Sequence, residues 1–257
     1  MSPPDGLPGW LTTLAAALPL VHFDQGFLPP VQGQRRPAAV LVLFGEGPAG
    51  PDLLLIERAA TLRSHAGQPA FPGGAVDPGD DGPVGAALRE AQEEVGLDPA
   101  SVEVLGTLPD LWLPPSGFLV TPVVAWWRDP HPVRAVDPAE VARLDRVPLA
   151  RLTDSRHRLR VRHPSGVIGP AFDTRDMLVW GFTAGVLDRL LAVGGWEQPW
   201  DPTRTRDLDP DVAALARASS PAYDRAGSPA YDRAGAPRTD LPALSRPAPE
   251  PSWSPAP

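Results

Sequence analysis

The chain contains no cysteine and no lysine. Without cysteine there is no disulfide framework, no thiol nucleophile and no cysteine-based zinc site. Without lysine, every strong base is an arginine, whose guanidinium never loses its charge and offers a forked pair of donors suited to carboxylates and phosphates. The five histidines, His22, His65, His131, His157 and His163, lack the short paired spacings of a structural metal site. His65 is placed in a loop, where it either touches a ligand or satisfies itself locally. No G-x-S-x-G elbow is present, so a serine-hydrolase arrangement has no support. The N-terminus lacks a basic region followed by an apolar run, and no segment reaches the roughly 18 apolar residues of a membrane span. These absences predict a cytoplasmic protein without a membrane partner. The formal net charge of −8 argues against a nucleic-acid partner, because binding there is driven by Lys and Arg neutralising phosphates.

With 257 residues, 42% of them hydrophobic, the chain can build one full core with appendages. Three regions are predicted: residues 1–35, a lead-in with a short amphipathic helix over 7–18 (Trp10, Leu11, Leu14 and Leu18 on one side); residues 36–200, the main domain; and residues 201–257, a Pro/Ala-rich tail. Within the main domain, strands are expected at 38–44, 53–57, 102–108 and 118–127, and a covering helix at 176–193 with Met177, Trp180, Ala184, Leu187 and Leu191 on one face. The tail repeats the octapeptide Ser-Pro-Ala-Tyr-Asp-Arg-Ala-Gly in tandem over 220–235. It holds too little apolar surface to offset its ordering entropy, which predicts disorder, with Tyr223 and Tyr231 as docking candidates or products of coding slippage.

Residues 53–97 carry the chemistry. Pro83 suits the first position of a helix, and Gly96 suits its end. Between them Val84, Ala87, Leu88, Ala91 and Val95 form an apolar stripe. At roughly 100° per residue, Glu90, Glu93 and Glu94 fall within one arc on the other side. Crowded carboxylates repel one another unless something neutralises them. Oxygen ligands of this type suit Mg²⁺ or Mn²⁺; Arg89 on an ordinary solvated face is the alternative. Upstream lie two strands and a turn, Phe71-Pro72-Gly73-Gly74, whose glycines let backbone approach a phosphate or metal closely.

These residues resemble the Nudix hydrolases, whose box reads G-x5-E-x7-R-E-U-x-E-E-x-G-U with U aliphatic. The second half matches from Arg89-Glu90-Ala91 through Glu93-Glu94 to Gly96-Leu97. Gly74 stands one residue further from Arg89 than the box prescribes, with Asp81 where its first Glu would be. The same lengthening is typical of the family's coenzyme A pyrophosphatase branch, marked by a pattern close to L-L-T-x-R-[SA]-x3-R-x3-G-x3-F-P-G-G. Leu54-Leu55-Ile56-Glu57-Arg58-Ala59, Arg63, Gly67 and Phe71 to Gly74 fit it, with Ile56 in place of threonine. Pro114-Pro115-Ser116-Gly117-Phe118, Thr121-Pro122-Val123-Val124, Glu140-Val141 and Trp180-Gly181-Phe182-Thr183-Ala184 also look like that branch, so the resemblance covers about 34–191.

The resemblance implies an α/β fold, an α/β/α sandwich with a mixed sheet, and a Mg²⁺- or Mn²⁺-dependent hydrolase of a pyrophosphate joined to a nucleoside. It implies that Glu90 and Glu94 hold the metal with Gly74, that Glu93 holds it or its water, and that Arg89 orients the glutamates. Glu140 is the candidate base from outside the helix, with a solvated capping residue as its alternative. Arg58, Arg63, Gly67 and Phe71 are the expected substrate-binding residues. The substrate expected is coenzyme A or an acyl-CoA, and the protein a monomer or homodimer. The alternatives are a Nudix hydrolase of ADP-ribose, dinucleotides or oxidised nucleoside triphosphates, and a ligand-sensing module without catalysis.

Overall fold

One strand, residues 36–47, divides the hydrophobic core in two, because its successive side chains point to opposite faces. The computed structural model describes residues 4, 6–23, 36–62, 65–113 and 117–213. Among these the elements run α1 (Gly9–Ala17), β1 (Arg36–Gly47), β2 (Gly50–Arg58), β3 (Pro69–Ala70), β4 (Gly73–Ala75), α2 (Gly82–Val95), β5 (Val102–Thr107), β6 (Leu111–Leu113), β7 (Phe118–Trp127), β8 (Val141–Pro148), α3 (Leu149–Thr153), β9 (Arg158–Arg162), β10 (Ile168–Asp173), β11 (Leu178–Val179), α4 (Gly181–Val193) and β12 (Thr205–Asp207).

The larger sheet has the order β3-β2-β1-β7-β5, with β4 also on β1, β6 on β7 and β8 on β2. The β1–β7 pair is parallel and the other pairs are antiparallel, so the sheet is mixed. Ala39, Leu41 and Leu43 of β1, Leu54 and Ile56 of β2 and Val123 and Ala125 of β7 pack on Ala86, Ala87, Ala91 and Val95 of α2. Val42, Phe44, Leu53, Leu55 and Val124 face the other way, onto Leu11 and Leu14 of α1 and Ala184, Leu187 and Leu191 of α4. The central strands read as continuous apolar runs because both faces are covered. The result is the expected α/β/α sandwich.

Several boundaries differ from expectation. The helix expected over 176–193 begins only at Gly181 (φ 63°), since Trp180 is extended and Leu178–Val179 pairs with β10. The N-terminal helix spans Gly9–Ala17 and then tightens into a 3-10 turn, Leu18–Leu20, containing Pro19.

A second sheet, β11-β10-β9-β12, was not foreseen. Strand β12 lies parallel to β9, Leu208 N–H donates to the Arg162 carbonyl at 2.9 Å, and Leu208 and Ala213 are buried with Leu159, Val161 and Ala171. The boundary expected at residue 200 therefore falls inside this packing, and the packed chain continues to Ala213. Both octapeptide copies, and all of 214–257, lie outside the described residues. Arg158, fully buried, ties the second sheet to Asp188 of α4 and to Glu197 just after that helix by ion pairs, and lies over the rings of Phe172 and Trp200. Among the described residues no helix is long and apolar enough to cross a membrane.

Candidate active site

Helix α2 presents the carboxylates. Gly96, at φ 70°, ends it, and the N–H groups of Gly96 and Leu97 return to the carbonyls of Gln92 and Ala91. Its buried stripe is mostly alanine, so the helix backbone lies close against β1 and β4. That approach carries Glu90 and Glu94 under the glycine turn. A Cβ on Gly74 would stand 2.5 Å from the Glu90 carboxyl carbon, and one on Gly73 would collide with the Ala39 carbonyl and Val40. Only glycine lets the strand pass between β1 and Glu90.

The three glutamates have different surroundings. Glu94 is 3% exposed; its Oε2 accepts from Gly73 N–H at 3.0 Å, and Arg58 Nη1 lies 3.3 Å from its Oε1. Burial pushes the Glu94 carboxyl up to about 7, against the pull of Arg58 and the Gly73 N–H, with Glu90 and Glu140 adding to the rise. Burial also raises Glu90, opposed by Arg89 and reinforced by Glu93 and Glu140. Glu93 has a side chain 59% exposed and pairs with Arg89 at 3.0 Å.

Arg89 gathers the acids around it. Its Nε and Nη2 fork onto Asp80 at 2.8 and 3.1 Å, Nη1 bonds Glu90 and Glu93 at 3.0 Å each, and Nη2 also reaches the Ala75 carbonyl at 3.1 Å. Asp80, whose carboxyl this fork holds below the usual range, thus fills the place that sequence counting gave to Asp81. Counted forward from Gly74, Asp80 is the acid at the box's spacing, and the extra residue falls between it and Arg89. Counting backward from Arg89 missed this.

Glu140 is exposed in the turn before β8; its N–H bonds the Asp137 carbonyl and its carbonyl accepts from Ala59 N–H at 2.9 Å. It caps no helix. Anchored to the end of β2, it is close enough for its charge to raise both Glu90 and Glu94.

Among the described residues no three His, Asp or Glu side chains form a ready metal cage. Of the expected trio, Glu93 is held beside Glu90 because both accept from the same Arg89 Nη1 at 3.0 Å, and Glu90 and Glu94 are the more buried. The pair still fits a hard divalent cation: two carboxylates held one helical turn apart, both with raised pKa values, beneath a glycine that leaves room beside Glu90.

A cavity of about 600 Å³ opens next to this pair. Arg58, Phe71, Gly73 and Gly74 form its wall on the glutamate side, and Val161, Trp180 and Phe182 line it from the second sheet and α4. Its volume is that of a small-molecule site. Arg58, expected on phosphates, sits where the cavity meets Glu94. Gly67 does not line the cavity; its N–H donates to the Arg58 carbonyl at 3.0 Å and, with φ 66°, it shapes the loop instead. Arg63 and Pro114, Pro115 and Ser116 lie outside the described residues. The wall from the second sheet was invisible in the sequence, since no local signal joins residues 161–182 to residues 58–74.

An arginine-clamped carboxylate helix under a glycine turn, on a mixed sheet between helices, defines the class. The chain belongs to the Nudix hydrolase family, with residues 34–166 matching the NUDIX domain. It is 45% identical over 172 residues to "Uncharacterized Nudix hydrolase NudL" of Cronobacter sakazakii (strain ATCC BAA-894), covering 64% of this chain and 85% of that protein. The protein of the same name from Escherichia coli (strain K12 / DH10B) is 42% identical over 162 residues, covering 60% and 81%. Among solved structures, the Nudix hydrolase RenU from M. Smegmatis superposes with a TM-score of 0.47 at 23% identity, covering 69% of this chain and 99% of that one.

Proposed function

We propose that the protein hydrolyses the pyrophosphate of coenzyme A or an acyl-CoA, giving 4′-phosphopantetheine (or its acyl form) and adenosine 3′,5′-bisphosphate. The observation that carries this is the position of the upstream signature. Arg58 and the Phe71 to Gly74 turn form the cavity wall that adjoins Glu94, so residues resembling the coenzyme A branch would face the substrate beside the carboxylates.

A pyrophosphate diester is doubly anionic and repels an attacking water. Mg²⁺ or Mn²⁺, when bound, would neutralise that charge and lower the pKa of the water. Glu90 and Glu94 would hold the ion, with the Gly74 backbone beside it. Arg89 keeps Glu90 in place, and by filling Arg89's remaining donors Asp80 keeps the guanidinium there. Arg58 brings a permanent positive charge to the phosphates without leaving Glu94. Glu140, exposed and unclamped by Arg89, would take the proton of the water, and Glu93 would support the ion or its water from the solvent side.

The test is a panel of nucleoside diphosphate derivatives with Mg²⁺ or Mn²⁺, products separated by mass. Cleavage of coenzyme A to the two named products supports the proposal. Rapid hydrolysis of ADP-ribose, dinucleotides or oxidised nucleoside triphosphates with coenzyme A uncut would replace it with a different Nudix substrate.

A further inference from the structure

Two residues that line the cavity carry buried nitrogens without partners. Arg58 Nε and His65 Nε2 are buried, neither has a hydrogen-bond partner among the described residues, and both residues line the cavity. Buried polar atoms are nearly always paired, so two orphans beside one cavity point to a ligand that completes them.

The loop fixes His65 for such a role. His65 has φ 56°, in a region that non-glycine residues enter at a cost. Its Nδ1 lies 3.0 Å from Gln68 Oε1. An amide oxygen only accepts, so Nδ1 carries the ring proton and Nε2 presents a lone pair. Burial lowers the His65 pKa; the Gln68 bond opposes this and nearby Arg58 adds to it, so the ring is neutral at pH 7. A neutral acceptor has nothing to offer a phosphate oxygen, which also only accepts. The missing partner is therefore an N–H or O–H donor. The cavity wall also carries Phe118, Val120, Val161, Val167 and Pro170 beside polar side chains such as Arg36 and Ser165, which suits an aliphatic group bearing a few polar atoms.

We propose that His65 Nε2 accepts a hydrogen bond from an amide N–H or hydroxyl of the substrate's non-nucleotide arm, an aliphatic chain lying along the wall formed by the second sheet. The identity of that arm rests on the coenzyme A reading; the need for a donor does not. His65 is then a specificity-determining contact, distinct from the carboxylates and from the phosphate-facing Arg58.

The test compares two substrates sharing one nucleotide: coenzyme A, and an analogue whose pantetheine arm is replaced by a methyl ester on the diphosphate. His65→Asn keeps a side chain that tolerates positive φ. It is expected to raise KM for coenzyme A at least tenfold, with kcat within about threefold, and to leave kcat/KM for the methyl ester within about threefold. An unchanged KM for coenzyme A overturns the proposal. So does an equal loss on both substrates, which would put Nε2 on the phosphates. Should His65→Asn fail to fold, Gln68→Leu, which releases Nδ1, must show the same arm-selective rise in KM or the proposal falls. Should the wild type leave coenzyme A uncut, its Kd is measured by calorimetry with wild type and variant. A tenfold difference then keeps the His65 contact while the proposed reaction fails, whereas equal or absent binding removes both.

Discussion

Glu94 makes the stability of the metal-free protein fall as pH rises. Its carboxyl moves from 4.5 to about 7 on folding, chiefly through burial. The unfolded chain releases this proton near its ordinary value while the folded chain retains it, so between those limits the folded state binds more protons. A raised carboxyl therefore contributes stability that is present at low pH and lost as pH climbs through about 7. The size of the loss is roughly 3 kcal/mol at most, less whatever Arg58 and the turn recover by relaxing. For a domain of this size that amounts to roughly 6–12 °C in Tm at its upper limit. Glu90, Asp52, Asp145 and Asp188 are also raised and act with the same sign, so the wild-type pH profile alone does not isolate Glu94. Glu94→Gln does. In EDTA its Tm should exceed that of wild type at pH 8, and the advantage should shrink toward pH 5. Added Mg²⁺ or Mn²⁺ should reverse the order, because protons and cation compete for one carboxylate, and apparent metal affinity should weaken about tenfold per pH unit below 7. A variant less stable than wild type at pH 8 in EDTA, or a metal affinity flat between pH 6 and 8, would refute the reasoning.

Glu90→Gln should leave the fold intact yet lower metal-dependent turnover by roughly two orders of magnitude; wild-type turnover at saturating metal would remove Glu90 from the site. Asp80→Asn should lower turnover roughly tenfold, the usual effect of losing a group that orients a ligand, while Asp81→Asn, which leaves the Arg89 fork intact, should change it little; steady-state kinetics on both variants distinguishes the two positions. Truncation after Arg204 removes β12 with Leu208 and Ala213 and should destabilise the domain by about 2 kcal/mol or more, whereas truncation after Ala213 should leave Tm unchanged; thermal melts that rank the two cuts the other way would refute the packing of 205–213.

What was legible in the sequence follows a physical division. Strands β1, β2 and β7 are apolar on both faces and announce themselves as runs, and α2 carries its stripe and its terminal Gly96. These signals are local. The second sheet is not: β9 reads Arg-Leu-Arg-Val-Arg, β10 contains Gly169 and Pro170, and β12 is three exposed residues whose pairing partner lies more than forty positions away. Its stability comes from long-range pairing and from Leu208 and Ala213 closing a small core, which composition after residue 200 concealed. The same limit hid the far wall of the cavity and the unpaired His65 Nε2.

The three glutamates show how far helical geometry goes before burial takes over. Periodicity places Glu90, Glu93 and Glu94 in one arc, and on that basis they are equivalent. What separates them is the neighbour each one meets. Small residues on α2 let the glycine turn descend over Glu90 and Glu94, so these two lose water and gain proton affinity, while Glu93 remains in solvent beside Arg89. With no lysine to share the task, the acids divide between two arginines: Arg89 takes Asp80, Glu90 and Glu93, and Arg58 takes Glu94. The carboxylate charge therefore exceeds the cationic charge paired with it, and the excess lies in the Arg89 cluster, where three acids share one guanidinium. A divalent ion would relieve that imbalance beside the cavity wall that Arg58, Gly73 and Gly74 form.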